Sequence, residues 1–308
     1  MLRFFKRLRT YRSSIHFIYA EPYRYYGSTV MGGQQLSEIA KKALAQSDRV
    51  HFTSADNHFK HCILVLTKWA ILSLGHKQLR RLKKRHNRLI FNAHDVVIPA
   101  DKLKYADVVM AVSDITYKNY KKKLPPSIKT VLVDHNVDPR LKTLDWSKRP
   151  NRMHAGYFGE TTNTFLTPKI AKKVDIIPVD TVNQNDYWLK ELPKYNLHYA
   201  IRRTRDVYPN KSFLKGFTAA YCGANILIQD SEKEAIRWLG KDYPYLLRGK
   251  VTEKKILEML EYVKNSFGSE EWERGLEIMR GIKEKTSEEA IGKQLVELFT
   301  EVGRGGSV

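Results

Sequence analysis

Cysteine and long apolar runs are both scarce in this chain of 308 residues. Its two cysteines, Cys62 and Cys222, are too few for a disulfide framework or a cysteine-based zinc site, and they favour a reducing compartment. The longest apolar stretch, residues 62–75, is interrupted by Lys68 and is shorter than the ~20 residues that span a bilayer. The N-terminus lacks the apolar core and cleavage site of a secretory signal. We therefore expect a cytoplasmic protein, or one that lies peripherally on the inner face of a membrane.

Acidic residues are also few. The chain has 33 Asp and Glu against 54 Lys and Arg, which gives a net charge of +21. Residues 1–150 carry 29 basic and 11 acidic residues, whereas residues 151–308 carry 25 and 22. A polycationic half of this kind favours binding to nucleic acid, an anionic membrane surface or an acidic substrate, and a merely solvated surface is the alternative.

Short apolar segments alternate with helical patterns in both halves of the chain. The hydrophobic content of 42% is enough for buried cores, and the length suggests two domains. The pattern predicts strands near residues 15–20, 50–53, 89–92, 108–112, 130–133, 156–159, 175–179, 197–201 and 226–229. Helices are predicted at residues 34–46, 58–84, 114–123, 169–173, 213–222 and 233–239, and from 252 to 302. This alternation indicates an α/β fold with parallel, doubly wound sheets, which bind ligands at the carboxyl ends of their strands.

Five segments, in this order, resemble GT-B glycosyltransferases, in particular the large retaining group that includes family 4. They are Gly32–Gly33 before a helix, Phe91–Asp95, Ala106–Tyr120 with Val131–Pro139, Gly156–Glu160, and Phe213–Ile236. Two departures stand out: Thr218 replaces an acidic residue of the family, and the family's Asn-Gly-Val-Asp stretch is here His135–Asp138, without the glycine.

The resemblance implies two Rossmann-like domains that face a cleft. We expect a basic acceptor-binding domain at residues 1–148 and a nucleotide-sugar-binding domain at residues 149–285. A C-terminal helix at residues 286–308 is expected to pack back on the first domain.

The resemblance also implies a nucleotide-diphosphate sugar as co-substrate, with no metal or other cofactor. Negative charge grows on the diphosphate as the glycosidic bond breaks, so cationic groups should contact it. Arg203 and Lys215 are the candidates, with Arg202 or Arg205 as alternatives to Arg203. The backbone amides of Gly32 and Gly33 are expected to approach a phosphate.

Other donor contacts follow from the same resemblance. Glu234 occupies the place of the carboxylate that binds the ribose hydroxyls, and Asp230 and Glu232 are alternatives. Thr218 lies where the family holds the donor sugar. His94 and Asp95, at a strand end, are the catalytic candidates: they either orient the donor sugar or take the proton of the acceptor.

The acceptor is expected on the basic first domain. The candidate surface combines aromatic and basic residues: Tyr23, Arg24, Tyr25, Arg80, Arg81, Lys83, Lys84 and Arg85. Together with basic residues 4–12, this surface suits a lipid-linked or envelope glycan at an anionic membrane. DNA, with a flipped base as acceptor, is the second interpretation. A third is a non-catalytic nucleic-acid-binding protein, which the departure at Thr218 keeps open.

Overall fold

The computed structural model describes residues 13–45, 48–147, 150–180, 182, 186–203 and 211–304. They form two compact units. The first unit contains the chain up to Asn136 together with the segment from Glu288 onward, and the second contains Val137–Ser287. Val137 and Leu141 belong to the hydrophobic core of the second unit, so the division falls earlier than the boundary near Pro150 that the polar residues suggest.

The first unit is built on a six-stranded sheet in the order β2-β1-β3-β4-β5-β6, in which every neighbouring pair is parallel. Its strands are β1 (Ile15–Tyr19), β2 (Val50–Ser54), β3 (Ile63–Leu66), β4 (Arg88–Asn92), β5 (Val108–Ala111) and β6 (Lys129–Leu132). After β1 the chain forms β2 on one side of it and then crosses over to form β3 on its other side. The carboxyl ends of β1 and β3 therefore form the switch point, where α/β sheets bind ligands.

Helices cover both faces of this sheet. They are α1 (Leu36–Leu44), α2 (Lys68–Ser73), α3 (His76–Lys84), α4 (Ala100–Leu103), α5 (Asp114–Lys123) and α12 (Glu288–Arg304). One face packs on α1 and α12, with Ile39 and Phe299 in the core. The other face packs on α2 and α3 through Ile71 and Leu79. Their apolar stripes account for this placement.

The continuous helix expected over residues 58–84 is wrong. Ile63–Leu66 form the buried strand β3 beside β1, and α2 and α3 follow as separate helices. A central strand of a parallel sheet is apolar on both faces, so this run lacks the alternation that marks an exposed strand. The other strands predicted in this half are confirmed to within one or two residues.

The second unit is built on a five-stranded parallel sheet in the order β11-β10-β9-β7-β8. Its strands are β7 (Ala155–Gly159), β8 (Asp175–Pro178), β9 (Leu197–Tyr199), β10 (Asn225–Gln229) and β11 (Leu246–Leu247). The helices are α6 (Pro168–Ala171), α7 (Tyr187–Glu191), α8 (Leu214–Tyr221), α9 (Lys233–Leu239), α10 (Glu253–Asn265) and α11 (Glu270–Lys285). The switch point of this sheet lies at the carboxyl ends of β7 and β9.

No helix among the described residues is both long enough and apolar enough to cross a membrane.

Candidate functional site

His94 lies at the carboxyl edge of the first sheet, two residues after β4. It adopts a left-handed backbone conformation with φ of 59°, and its N–H donates to Oδ1 of Asn92 at 3.2 Å. Non-glycine residues seldom occupy this region, and such strain often accompanies function. The turn directs the His94 ring toward His135, whose ring centroid lies 4.7 Å away in an edge-on contact.

Asp95 forms an ion pair with Lys68, the first residue of α2, at 2.9 Å. Both side chains are largely buried, and Lys68 also lies 5.3 Å from the ring of Trp69. The ion pair fixes the position of the carboxylate beside His94. The structure therefore places both predicted catalytic residues next to cationic and aromatic groups.

His135, which the sequence marks only as part of a departure from a family motif, packs against His94 and is a further candidate. It follows β6, is 3% exposed, and its Nδ1 lies 3.0 Å from the carbonyl oxygen of Asn136. Its Nε2 is buried with no hydrogen-bond partner among the described residues. Burial lowers the pKa of His135, which favours the neutral ring. The signal available in the sequence was its place shortly after a strand, because all strands of this sheet end at one edge.

Gly32 and Gly33, expected just before a helix, lie in a π-helical segment (Val30–Gln35) that continues into α1. Both are buried. A Cβ on Gly33 would lie 2.8 Å from side-chain carbons of Phe52 and Thr67, and one on Gly32 would lie 3.0 Å from Nδ2 of Asn92. Close packing therefore explains why both positions lack a side chain, and their contact with a phosphate stays a prediction.

An aromatic cluster of Tyr23, Tyr26 and Trp69 lies at the switch point of the first sheet. Tyr23 stacks on Trp69 with centroids 4.4 Å apart, and Tyr26 meets both rings edge-on. Nε1 of Trp69 is buried with no hydrogen-bond partner among the described residues. Arg24, beside the cluster, lies 5.4 Å from the rings of both Tyr19 and Tyr25. The structure therefore brings three predicted acceptor residues to the edge that carries His94.

The basic residues of α3 lie at the opposite edge of the same sheet. Lys83 pairs with Asp107 at 2.7 Å, just before β5. Nδ1 of His58 accepts hydrogen bonds from both Arg81 and Arg85, at 3.3 and 2.8 Å. Since α3 runs back to the amino edge, this surface is separated from His94 by the length of a strand, about 16 Å. We call this group the basic surface: Arg80, Arg81, Lys84 and Arg85. The structure does not bring the basic surface together with Tyr23.

Lys215 occupies the switch point of the second sheet. Its amino group donates to the carbonyl oxygen of Phe158 and lies 4.2 Å from the ring centroid of Tyr157. Gly159 makes room for it, because a Cβ there would lie 2.6 Å from Nζ and the residue has φ of 151°. Burial, reinforced by the charges of Arg202 and Lys211, lowers the pKa of Lys215 to about 7. An anion at this site would restore the charge of the amine.

Arg202, rather than Arg203, faces this site. Its side chain is mostly buried, and its Nε lies 3.3 Å from Oε1 of Glu232. The side chain of Arg203 is exposed, and Arg205 lies outside the described residues. The sequence run offers several arginines in a row, so only the tertiary structure selects among them.

The other donor candidates surround the same edge. Asp230 follows β10 and its Oδ2 accepts from the N–H of Gly249 at 3.1 Å. Glu234 is buried in the first turn of α9, 3.4 Å from Arg237. Thr218 lies one turn after Lys215 in α8 and is partly exposed. The basic residues 4–12 that were predicted to join the acceptor surface lie outside the described part of the chain.

Within the described residues, no group of three or more His, Cys, Asp or Glu side chains is arranged to hold a metal ion. Both cysteines are free thiols.

No family model and no curated protein matches the chain. Among solved structures, Anabaena Alr3699/HepE in complex with UDP has a TM-score of 0.62 at 10% identity, with 94% of this chain and 100% of that chain covered. Sucrose-phosphate synthase from Thermosynechococcus elongatus has a TM-score of 0.58 at 11% identity, with coverages of 96% and 100%.

A third neighbour is the pneumococcal O-GlcNAc transferase GtfA in complex with UDP and GlcNAc. Its TM-score is 0.57 at 10% identity, and the match covers 79% of this chain. This chain spans only 57% of GtfA and 58% of the chain matched in the GtfA/B complex. Each unit has a parallel sheet with flanking helices, and the likeness to these neighbours identifies the fold: the chain has the GT-B fold of glycosyltransferases.

Proposed function

We propose that this protein is a glycosyltransferase that moves a sugar from a nucleotide-diphosphate donor bound to its second unit. The observation that carries the proposal is the cationic site at the carboxyl ends of β7 and β9, where Lys215 and Arg202 converge. HepE and GtfA were solved with UDP, and HepE also with UDP-glucose, which supports a diphosphate donor.

The two cations explain how the leaving group is stabilised. As the bond between the anomeric carbon and the phosphate oxygen breaks, both electrons stay with the diphosphate, and its negative charge grows. The amine of Lys215, protonated in the presence of the anion, and the guanidinium of Arg202 supply fixed positive charge there. Because side chains provide this charge, we propose transfer that requires no metal.

His94 and Asp95 are proposed to serve the reacting sugar and the acceptor hydroxyl. The new bond joins the anomeric carbon to the acceptor oxygen, whose proton must leave. A carboxylate held by Lys68, or an imidazole in the strained turn, is suited to accept that proton or to hold a sugar hydroxyl.

The acceptor that we propose is a lipid-linked or envelope glycan at an anionic membrane surface. The aromatic cluster at the carboxyl edge suits the apolar face of a sugar ring. The basic surface, at the other edge, suits phosphate groups of the membrane rather than the reacting group. DNA remains the alternative acceptor, because the same cations would bind phosphodiesters.

A binding panel tests the donor. The melting temperature is measured with UDP, GDP, dTDP, ADP and CMP, each with and without Mg²⁺. We expect one diphosphate to raise the melting temperature equally under both conditions. If no nucleotide changes the melting temperature, the proposal is contradicted and the non-catalytic nucleic-acid-binding interpretation is favoured. Titration with duplex DNA over a salt series would then test that interpretation.

A further inference from the structure

A cavity of about 470 Å³ opens at the amino edge of the first sheet, where β1, β3 and β4 begin. Its volume is in the range of small-molecule sites, ~300–1,000 Å³. All the residues that line it belong to the first unit. They include His61, Cys62, Lys83, His86, Asn87 and Arg88. We call this space the amino-edge cavity, and it is separate from the edge that carries His94.

Two histidines form part of its wall. The rings of His61 and His86 are parallel to within 4°, with centroids 5.3 Å apart, and both residues are exposed to solvent. Both have a left-handed backbone conformation, with φ of 56° and 58°. Glycine would adopt this conformation at lower cost, and strained residues concentrate at functional sites. The backbone turns alone therefore do not account for the two accessible imidazoles, each of which can donate an N–H group.

Hydrogen bonds from the buried Asn87 fix the backbone around these rings. Its Oδ1 accepts from the N–H of Cys62 at 3.0 Å, and its Nδ2 donates to the carbonyl oxygen of Phe59 at 3.1 Å. The N–H of His61 donates to the carbonyl oxygen of Arg85 at 3.1 Å. These bonds join the loop before β3 to the end of α3, so the spacing of the rings is set before any ligand binds.

Positive charge exceeds negative charge at the cavity. Lys83 and Arg88 both contact Asp107, at 2.7 and 3.4 Å, so one carboxylate faces two cations. The two cationic side chains are still 33% and 42% exposed, and no acidic residue of the described chain lines the cavity. The carbonyl end of α3 accounts for a lysine in its last turn. It does not account for Arg88, which begins β4.

We propose that the amino-edge cavity binds a phosphomonoester group. A terminal phosphate has three oxygens, which can accept at once from an ammonium, a guanidinium and imidazole N–H groups. It can enter a cavity end-on, whereas a phosphodiester within a polymer is flanked on both sides and suits an open surface. The ligand is either the headgroup of a membrane lipid, which rests on the membrane contact of the proposed function, or a soluble phosphate compound.

Vesicle co-sedimentation tests the lipid source. Phosphatidylcholine vesicles carry either phosphatidic acid, a phosphomonoester, or phosphatidylglycerol, a phosphodiester, at equal surface charge. We expect wild type to bind the phosphatidic acid vesicles about tenfold more tightly, the effect of one further hydrogen bond to a charged group. The double variant His61→Asn/His86→Asn should lose this preference. His76→Asn, at an exposed ion pair at the other end of α3, is the control and should keep it.

Calorimetric titration with glycerol 3-phosphate, the headgroup of phosphatidic acid without its acyl chains, tests the soluble source. Chloride at equal ionic strength is the reference. We expect the double variant to bind about tenfold more weakly than wild type and His76→Asn. Asparagine tolerates the left-handed conformation, so the double variant should fold, and circular dichroism checks this. Binding of glycerol 3-phosphate without a preference between the vesicles assigns a soluble ligand, and a preference between the vesicles assigns the lipid.

A vesicle preference or a glycerol 3-phosphate affinity that the double variant retains would overturn the cavity assignment, as would the absence of both in wild type. If duplex DNA without terminal phosphates displaces glycerol 3-phosphate from wild type, a phosphodiester occupies the cavity and the phosphomonoester is wrong. If wild type binds neither kind of anionic vesicle, the proposed membrane contact fails, and the calorimetric titration still decides the cavity. The two failures are therefore distinguishable.

Discussion

The carboxyl edges of the two sheets carry different chemistry, although the strands within each sheet are parallel. The edge of the first sheet presents imidazoles, a lysine-paired carboxylate and stacked aromatic rings. The edge of the second sheet presents an arginine and a lysine whose amine is held below its usual pKa. Under the proposed function, the first edge serves the sugar and the acceptor hydroxyl, and the second edge binds the diphosphate.

The net charges of the two halves of the chain alone would suggest that the first half, not the second, holds the anion-binding site. The first half of the chain holds most of the excess of Lys and Arg, yet the basic surface lies at its amino edge, away from His94. The second half is nearly neutral, yet it concentrates cations at its switch point. The net charge of a domain thus affects its attraction to a large polyanion, whereas a small anion is bound by a few oriented groups.

The largest effect that would test this contrast is at the basic surface. Replacing Arg80, Arg81, Lys84 and Arg85 by Gln should lower affinity for anionic vesicles by about 4 kcal/mol, since each contributes ~1 kcal/mol near the surface. Lys83 is left unchanged because its ion pair with Asp107 supports the fold. Vesicle co-sedimentation at low salt measures the loss, and UDP binding should not change.

The matched control replaces four exposed lysines of the second unit, Lys169, Lys172, Lys190 and Lys254, which changes the net charge equally. If the control loses as much vesicle affinity, total charge decides binding and the assigned surface is wrong. If the first variant instead loses duplex DNA binding alone, the DNA alternative gains.

The next effect concerns Lys215. Lys215→Met should weaken UDP binding by roughly 10- to 100-fold, because a charge-assisted contact contributes about 1.5–3 kcal/mol. In wild type the affinity should also fall as the pH rises from 7 to 9, since the free protein then loses the ammonium form. Lys255→Met, at an exposed position of the same unit, is the control. A pH-independent affinity in wild type, measured by calorimetry, would contradict a role for this amine.

The smallest effect concerns His16, a histidine of β1 in the first sheet. Burial and the neighbouring His51 lower the pKa of His16 to about 4, and its ring contacts Thr53 and Ser14 at 3.1 and 2.9 Å. Between pH 6.5 and 4 the unfolded chain binds a proton that the folded chain does not. The full difference in pKa corresponds to about 3.4 kcal/mol, and solvent screening of the partly exposed ring reduces the expected loss of stability to roughly 2 kcal/mol in that window. Urea unfolding of His16→Gln should show a flatter pH dependence over the same range. Equal slopes would mean that other groups dominate.

The sequence by itself determined the fold class and most of the strands. Apolar runs such as Ile15–Tyr19 and Asn225–Gln229 are too short for helices and too apolar for loops. The local sequence therefore favours a strand at each of them. The resemblance to GT-B enzymes added His94, Asp95 and Lys215 as candidates, and the structure places them after a strand or at the start of a helix, at the carboxyl edges of the sheets. The strand within residues 62–75 was predicted as helix, because a strand that is buried on both faces lacks the alternation of apolar and polar residues.

Only the tertiary structure decided which groups meet. It selects Arg202 from a run of arginines, adds His135 to the edge of the first sheet, and encloses Gly33 between Phe52 and Thr67. It also places the charge of α3 at the edge opposite His94. These contacts depend on strand order and helix direction, which bring together residues that are far apart in the chain. A local sequence pattern cannot predict which distant residues will be neighbours.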